Sequence, residues 1–165
     1  MSEQRPDFME RVAEFNRQAQ LPAPGDNFNA NRVTFYTGCQ FEELAEKIEV
    51  IAGGAVDLQE RDMLQKMYDV LKDASVLFKS GKFTGCVMRA NREDLLSEEI
   101  DVAVVTAGSL CYQTPHFLDA AHALCDANDQ KWINGVERDP ATGKVLKPEG
   151  FKPADMSKFV VRSDD

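Results

Sequence analysis

The chain alternates between segments whose apolar residues return every three or four positions and short breaks rich in glycine, proline and asparagine. In "DFMERVAEFNRQAQ" the recurring apolar residues are Phe8, Val12 and Phe15; Pro6 suits a first helical turn, and "LPAPGDN" breaks the pattern. A second helix is predicted from about 31 to 51, with Phe41, Leu44, Ile48 and Ile51 as its main apolar stripe. Gly53-Gly54 is expected to end it in the left-handed conformation. From 57 to about 78, Met63, Met67, Val70, Ala74 and Leu77 recur at heptad-like spacing opposite Arg61, Lys66, Asp69 and Lys72, the cleanest amphipathic helix in the chain. "KSGKFTGCVMRAN" reads as a glycine-punctuated connection. Asn91, with Asp94 three residues on, caps the next helix, "REDLLSEEIDVAVVTAGSLCYQ". That segment is apolar nearly all round after Ile100, which predicts a central, buried element. Pro115 opens a last helix to about 132, and "NGVERDPATGKVLKPEGFKPADM" reads as turns or a short hairpin.

These elements predict an all-α fold: a bundle of four or five helices with a short irregular C-terminal tail, in one domain spanning 1–165. With 43% hydrophobic and 28% charged residues the chain is far from the disordered class. A formal charge of −9 argues against general affinity for nucleic acid polymers or anionic membranes, so an anionic ligand must be held by local lysines or by bound cations. The sequence shows neither a signal-peptide pattern nor an apolar run long enough for a bilayer, and the expected compartment is cytoplasmic. Cys39, Cys86, Cys111 and Cys125 are widely spaced without a CxxC pair, and are expected to be buried free thiols.

Two acidic patterns carry the chemistry. Glu42, Glu43 and Glu46 form E-E-x-x-E in the second predicted helix, and Glu98 with Asp101 forms E-x-x-D in the apolar one. Residues three or four apart share a helical face, so each motif holds adjacent carboxylates. A solvated acidic face is the competing reading for the first motif, because its glutamates and Glu49 avoid the main apolar stripe. Asp101 weighs against it: a carboxylate in a buried helix needs a partner, and no lysine or arginine lies within one turn. Clustered carboxylates without basic neighbours repel one another unless a cation fills the site, and all-oxygen ligation favours Mg²⁺, or Mn²⁺, over zinc or copper. Magnesium commonly bridges to phosphate oxygens, which points to a phosphorylated substrate.

At these residues the sequence resembles the all-α nucleoside triphosphate pyrophosphohydrolase superfamily, which includes MazG, phosphoribosyl-ATP pyrophosphohydrolase and the dimeric dUTPases. Its signature is E-E-x-x-E followed on a later helix by E-x-x-D. "VAEFNRQAQLPAP", Asn128-x-x-Lys131 and "GKVLKPEGFKPADM" are similar to the phosphoribosyl-ATP pyrophosphohydrolase-like members, so the similarity spans most of the chain. One departure is the spacer of about fifty residues between the motifs, longer than is usual for MazG, with 58–78 as an extra or elongated helix. The resemblance implies hydrolysis of a nucleotide between its α- and β-phosphates, giving a monophosphate and pyrophosphate. It implies that Glu43, Glu46, Glu98 and Asp101 hold Mg²⁺ and that Glu42 orients or deprotonates the attacking water. Asn128, Lys131, Lys144 and Lys147 become the candidates for binding substrate phosphate, and the chain is implied to be a homodimer or homotetramer. Trp132, Phe35 and Phe151 are candidates for stacking on a base as well as for packing.

Two other classes compete. A di-iron bundle needs E-x-x-H pairs, whereas the nearest approach here is Asp119-x-x-His122. A helical interaction or regulatory module is the non-enzymatic alternative; it leaves the full set of five acidic positions without a purpose.

Overall fold

The computed structural model describes residues 7–18, 28–133, 135–140 and 144–160. All of its regular elements are helical: α1 (Phe8–Gln18), α2 (Ala30–Ala52), α3 (Leu58–Lys79), α4 (Thr84–Arg89), α5 (Arg92–Gln113), α6 (Phe117–Asp129) and a 3₁₀ turn at Met156–Lys158. The all-α class is as expected. The helix count exceeds the expected four or five, because the "glycine-punctuated connection" contains α4. The contacts group into two units, residues 27–94 and the remainder, and these are described separately.

In residues 27–94, α2 and α3 form an antiparallel hairpin. Side-chain caps open both of its helices and α5. The Asn29 side chain accepts from the backbone N–H of Arg32. At the start of α3, Asp57 accepts from the N–H of Glu60 at 2.8 Å, and Glu60 reaches back to accept from the N–H of Val56 at 3.0 Å. Asn91 accepts from the N–H groups of Glu93 and Asp94 to open α5. At the other end of α2 the expectation fails: Gly53 is right-handed helical, with φ −61°. The left-handed glycine is Gly81, φ +78°, in the turn between α3 and α4.

The helices meet on a face other than the predicted stripes. The buried residues of α2 are Ala30, Thr34, Gly38 and Ala45, and that of α3 is Ser75. Small side chains let the backbones approach closely: a Cβ at Gly38 would lie 2.9 Å from Lys79 N and 3.0 Å from Ser75 O. The Thr34 hydroxyl donates to Ala30 O at 2.7 Å, so its burial leaves no unpaired polar atom. The large residues Leu44, Ile51, Met63, Met67 and Val70 remain exposed. Phe41, Phe78 and Phe83 stack in series, with ring centroids 5.3 and 4.8 Å apart. They tie the start of α4 to the hairpin, where Val87 is buried.

In the other unit, α1 packs on α6. Asp7 and Glu10 make a reciprocal capping box at the start of α1. Phe15 meets Trp132 edge to face, with centroids 4.9 Å apart. Arg11 donates to His122 O at 3.1 Å and pairs with Asp126 and Asp129 at 2.7 Å each, its side chain only 12% exposed. Burial pushes the Arg11 pKa down, but the hydrogen bonds and charges of the two aspartates outweigh it and the net shift is upward. Arg11→Ala is expected to cost about 2 kcal/mol, since charge-assisted bonds to half-exposed carboxylates are lost. The loss should appear as faster amide hydrogen exchange in α1, with the α2–α3 amides unchanged.

After α6 the tail forms the expected short hairpin, with an antiparallel bridge between Arg138 and Val145. Asp139 N–H donates to Lys144 O and Leu146 N–H to Glu137 O, each at 2.9 Å. Gln130 anchors the segment that follows by bonding both N–H and C=O of Lys152 at 2.9 Å.

The prediction that α5 is buried is overturned. Apart from Leu95 and Ser109, at most partly covered, its residues are exposed, with Val105 at 72% and Tyr112 at 95%. Apolarity all round marks a helix that needs cover on several sides without stating what provides it.

Candidate active site

Each acidic motif lies within a regular helix. Glu42, Glu43 and Glu46 are in the middle of α2, and Glu98 and Asp101 are in the second and third turns of α5. The former belong to the unit formed by residues 27–94 and the latter to the other. Glu43, Glu46, Glu98 and Asp101 are all exposed and Glu42 is half-buried. Asp101 therefore does not sit in a buried helix, and the burial argument for a cation at that residue falls with the burial of α5.

Two glutamates of α2, Glu42 and Glu46, also have basic partners that sequence separation concealed. Lys79 of α3 donates to Glu42 at 2.6 Å, with both side chains largely covered. Lys72 lies 3.6 Å from Glu46 and stands over the Tyr68 ring, 5.6 Å from its centroid. Because α3 runs antiparallel to α2, lysines seven positions apart meet glutamates four positions apart on one face of the hairpin. Glu42 thus has one carboxylate oxygen already committed to an ammonium group. Among the described residues no three His, Cys, Asp or Glu side chains converge as a metal-binding group.

The candidates for binding phosphate cluster better. Asn128 is in the last turn of α6, and its carbonyl accepts from Lys131 N–H at 2.9 Å. Lys131 and Lys147, from opposite ends of the tail hairpin, both approach the Phe151 ring, with Nζ 6.0 and 5.3 Å from its centroid. Beside them is a cleft of about 560 Å³ lined by Lys131, Gly135, Glu137, Leu146, Pro148 and Glu149, together with Gly150 at φ +76°. Lys144 is exposed on the hairpin, its carbonyl holding Asp139. Of the aromatic candidates, Trp132 packs against Phe15 and Phe35 against Tyr36, which leaves Phe151, framed by two lysines, at the cleft. The sequence carried no sign that Phe151 organises these lysines, because cation–π geometry depends on how the tail folds back.

The four cysteines are free, as expected, but not buried: Cys86 and Cys111 are exposed, and Cys39 and Cys125 are half-covered. Burial pushes the Cys125 thiol up, and the nearby Arg11 only partly offsets this. At pH 8, Cys125 is expected to react with iodoacetamide about tenfold more slowly than Cys86 or Cys111, as read by peptide mass spectrometry.

No helix among the described residues is long and apolar enough to cross a membrane. No family model matches the chain, and neither a curated protein nor a solved structure is significantly similar to it.

Proposed function

We propose that the chain is a nucleotide pyrophosphohydrolase that adds water across the α–β phosphoanhydride, giving a nucleoside monophosphate and pyrophosphate. The observation that carries this reading is the pair of acidic motifs, E-E-x-x-E and then E-x-x-D, each within a continuous helix. Glu43 with Glu46, and Glu98 with Asp101, stand one turn apart on exposed surface. The reading assigns Mg²⁺, or Mn²⁺, to these four carboxylates and water activation to Glu42. The metal would neutralise charge developing on phosphate oxygens. Lys131 and Lys147, with Asn128 and Lys144, are the cationic and amide groups proposed to hold the phosphates, an office that a protein of net charge −9 cannot leave to its overall field. The proposed state is a cytoplasmic homodimer or homotetramer similar to MazG-type and phosphoribosyl-ATP pyrophosphohydrolase-like proteins, with phosphoribosyl-ATP one of the possible substrates.

A second reading is favoured by a specific observation. The Glu42–Lys79 and Glu46–Lys72 pairs give two of the motif glutamates a structural purpose within the hairpin. On this reading the chain is a helical interaction module without chemistry. A pyrophosphate-release screen over NTPs, dNTPs and phosphoribosyl-ATP with Mg²⁺ separates the two. Release from at least one substrate is expected, and silence on all of them together with no binding of divalent ions would leave the interaction module.

A further inference from the structure

The tail after α6 folds into a cleft of mixed charge. Every residue that lines its volume of about 560 Å³ lies between Lys131 and Gly150, so the cleft is built by one segment of one unit. Its size falls in the ~300–1,000 Å³ range of small-molecule sites. Local contacts hold its walls. Gln130 bonds the backbone N–H and C=O of Lys152, which sets Phe151 beside Lys131. Leu146 N–H donates to Glu137 O and joins the two arms of the hairpin. Two of the lining residues, Gly135 and Gly150, turn the chain with φ +98° and +76°, a backbone that residues with a side chain rarely adopt.

Charge is divided within this cleft. Lys131 brings an ammonium group, and Lys147 stands near it over the Phe151 ring, 5.3 Å from the centroid. Glu137 and Glu149 bring two carboxylates to the same lining. Both are exposed, and among the described residues neither side chain has a hydrogen-bond or ion-pair partner. An ionised carboxylate accepts hydrogen bonds and donates none, so it receives a hydroxyl or an amine and repels a phosphate. Inorganic phosphate or pyrophosphate alone would meet that repulsion, and a simple cation would meet Lys131. The occupant that satisfies the whole lining is anionic at one end and carries hydrogen-bond donors at the other.

We infer that the cleft binds a phosphorylated ribose, with phosphate at Lys131 and Lys147 and the vicinal 2′- and 3′-hydroxyls at Glu137 and Glu149. The inference takes the phosphate role of the two lysines from the proposed function and adds the substrate class, ribonucleotides in preference to deoxyribonucleotides. Acceptance of ribose hydroxyls by a carboxylate is a recurrent means of sugar recognition. A deoxyribose lacks one donor and leaves one acceptor without its partner. Because both glutamates are exposed, the acceptor left over stays hydrated. The discrimination is therefore about tenfold, far from the ~10⁴ of a buried polar site.

Calorimetric titration of the full chain in EDTA, which suppresses metal-dependent turnover, tests this with AMP, 2′-deoxy-AMP, ribose 5-phosphate and inorganic phosphate. AMP is expected to bind about tenfold more tightly than 2′-deoxy-AMP, and ribose 5-phosphate more tightly than inorganic phosphate. Glu137→Ala combined with Glu149→Ala should bring the affinities for AMP and 2′-deoxy-AMP to within about twofold of each other. A purely electrostatic role for the glutamates would strengthen both nucleotides alike in that variant and leave their ratio as in wild type. Lys147→Ala should weaken all four ligands and preserve the ratio. The three substituted residues are exposed, so the variants test the cleft without threatening the fold. Equal affinity of the wild type for the two nucleotides, a ratio unchanged in the double variant, inorganic phosphate binding as tightly as AMP, or no binding of AMP at about 5 mM would overturn the inference. Neither metal nor turnover enters this readout. A chain that prefers AMP yet releases no pyrophosphate sinks the enzymatic reading alone, and one that hydrolyses NTPs and dNTPs but shows no preference in binding sinks this inference alone.

Discussion

Glu46→Gln and Asp101→Asn are each expected to lower pyrophosphate release at least 100-fold at saturating Mg²⁺, with far-UV circular dichroism and melting temperature unchanged. Both substitutions keep shape and remove one negative charge. On the proposed reading that charge opposes a divalent cation, so its loss weakens both metal binding and stabilisation of the phosphoryl transition state. The cost to folding is small in each case. Glu46 is half-exposed and its contact with Lys72 is long, at 3.6 Å, so the pair contributes less than about 1 kcal/mol. Asp101 is exposed on α5. Glu49→Gln, three residues on from Glu46 and equally exposed, is the matched control and should retain full activity. Calorimetric titration with Mg²⁺ adds a readout independent of turnover, in which both variants should bind at least tenfold more weakly. Full activity in both variants would remove these residues from the chemistry. It would leave the Glu46–Lys72 contact as a structural feature of the hairpin.

The sequence disclosed the helices more fully than their contacts. Asn91 announced a helix start because a short oxygen-bearing side chain before a periodic segment has one favourable use there. α4 was hidden: six residues with a glycine among them have no intrinsic helical signal, and Val87 and the Phe78–Phe83 stack hold the segment in place. The packing face was hidden for another reason. Periodic large apolar residues identify a surface that needs cover, whereas the face that α2 and α3 share is built from Ala30, Thr34, Gly38, Ala45 and Ser75. Close backbone approach supplies dispersion contacts without large side chains, and a hydrophobicity pattern does not register it. The same gap affected the candidate site. Lys72 and Lys79 lie far from the glutamates in sequence and beside them in the hairpin. Their pairing with Glu46 and Glu42 follows only once the helices are known to be antiparallel in that register.

That close approach predicts opposite signs for two glycine-to-alanine changes in helices. In open helix, alanine for glycine stabilises by about 0.5–1 kcal/mol, because it restricts the unfolded chain and favours helical backbone. Gly108 in α5 is such a place, with nothing beyond its chain neighbours and the helix's own backbone within 4 Å of a Cβ built there, and Gly108→Ala should gain that amount. At Gly38 the new methyl would lie 2.8 Å from Lys79 Cγ, 2.9 Å from Lys79 N and 3.0 Å from Ser75 O. The Lys79 side chain cannot simply swing away, since its ammonium is held by Glu42 at 2.6 Å, and the other two atoms are backbone. Relief therefore requires α3 to move off α2 along the hairpin's best-packed stretch. Gly38→Ala should cost about 1–3 kcal/mol net of its helical gain, and Gly38→Val more than about 4 kcal/mol. Urea denaturation of the three variants measures all of these. A Gly38→Ala chain as stable as wild type would mean that the α2–α3 crossing is looser than the small-residue face implies. Part of the loss should also be visible locally, as earlier exchange of amides near Ser75, because the backbone displaced is that of α3.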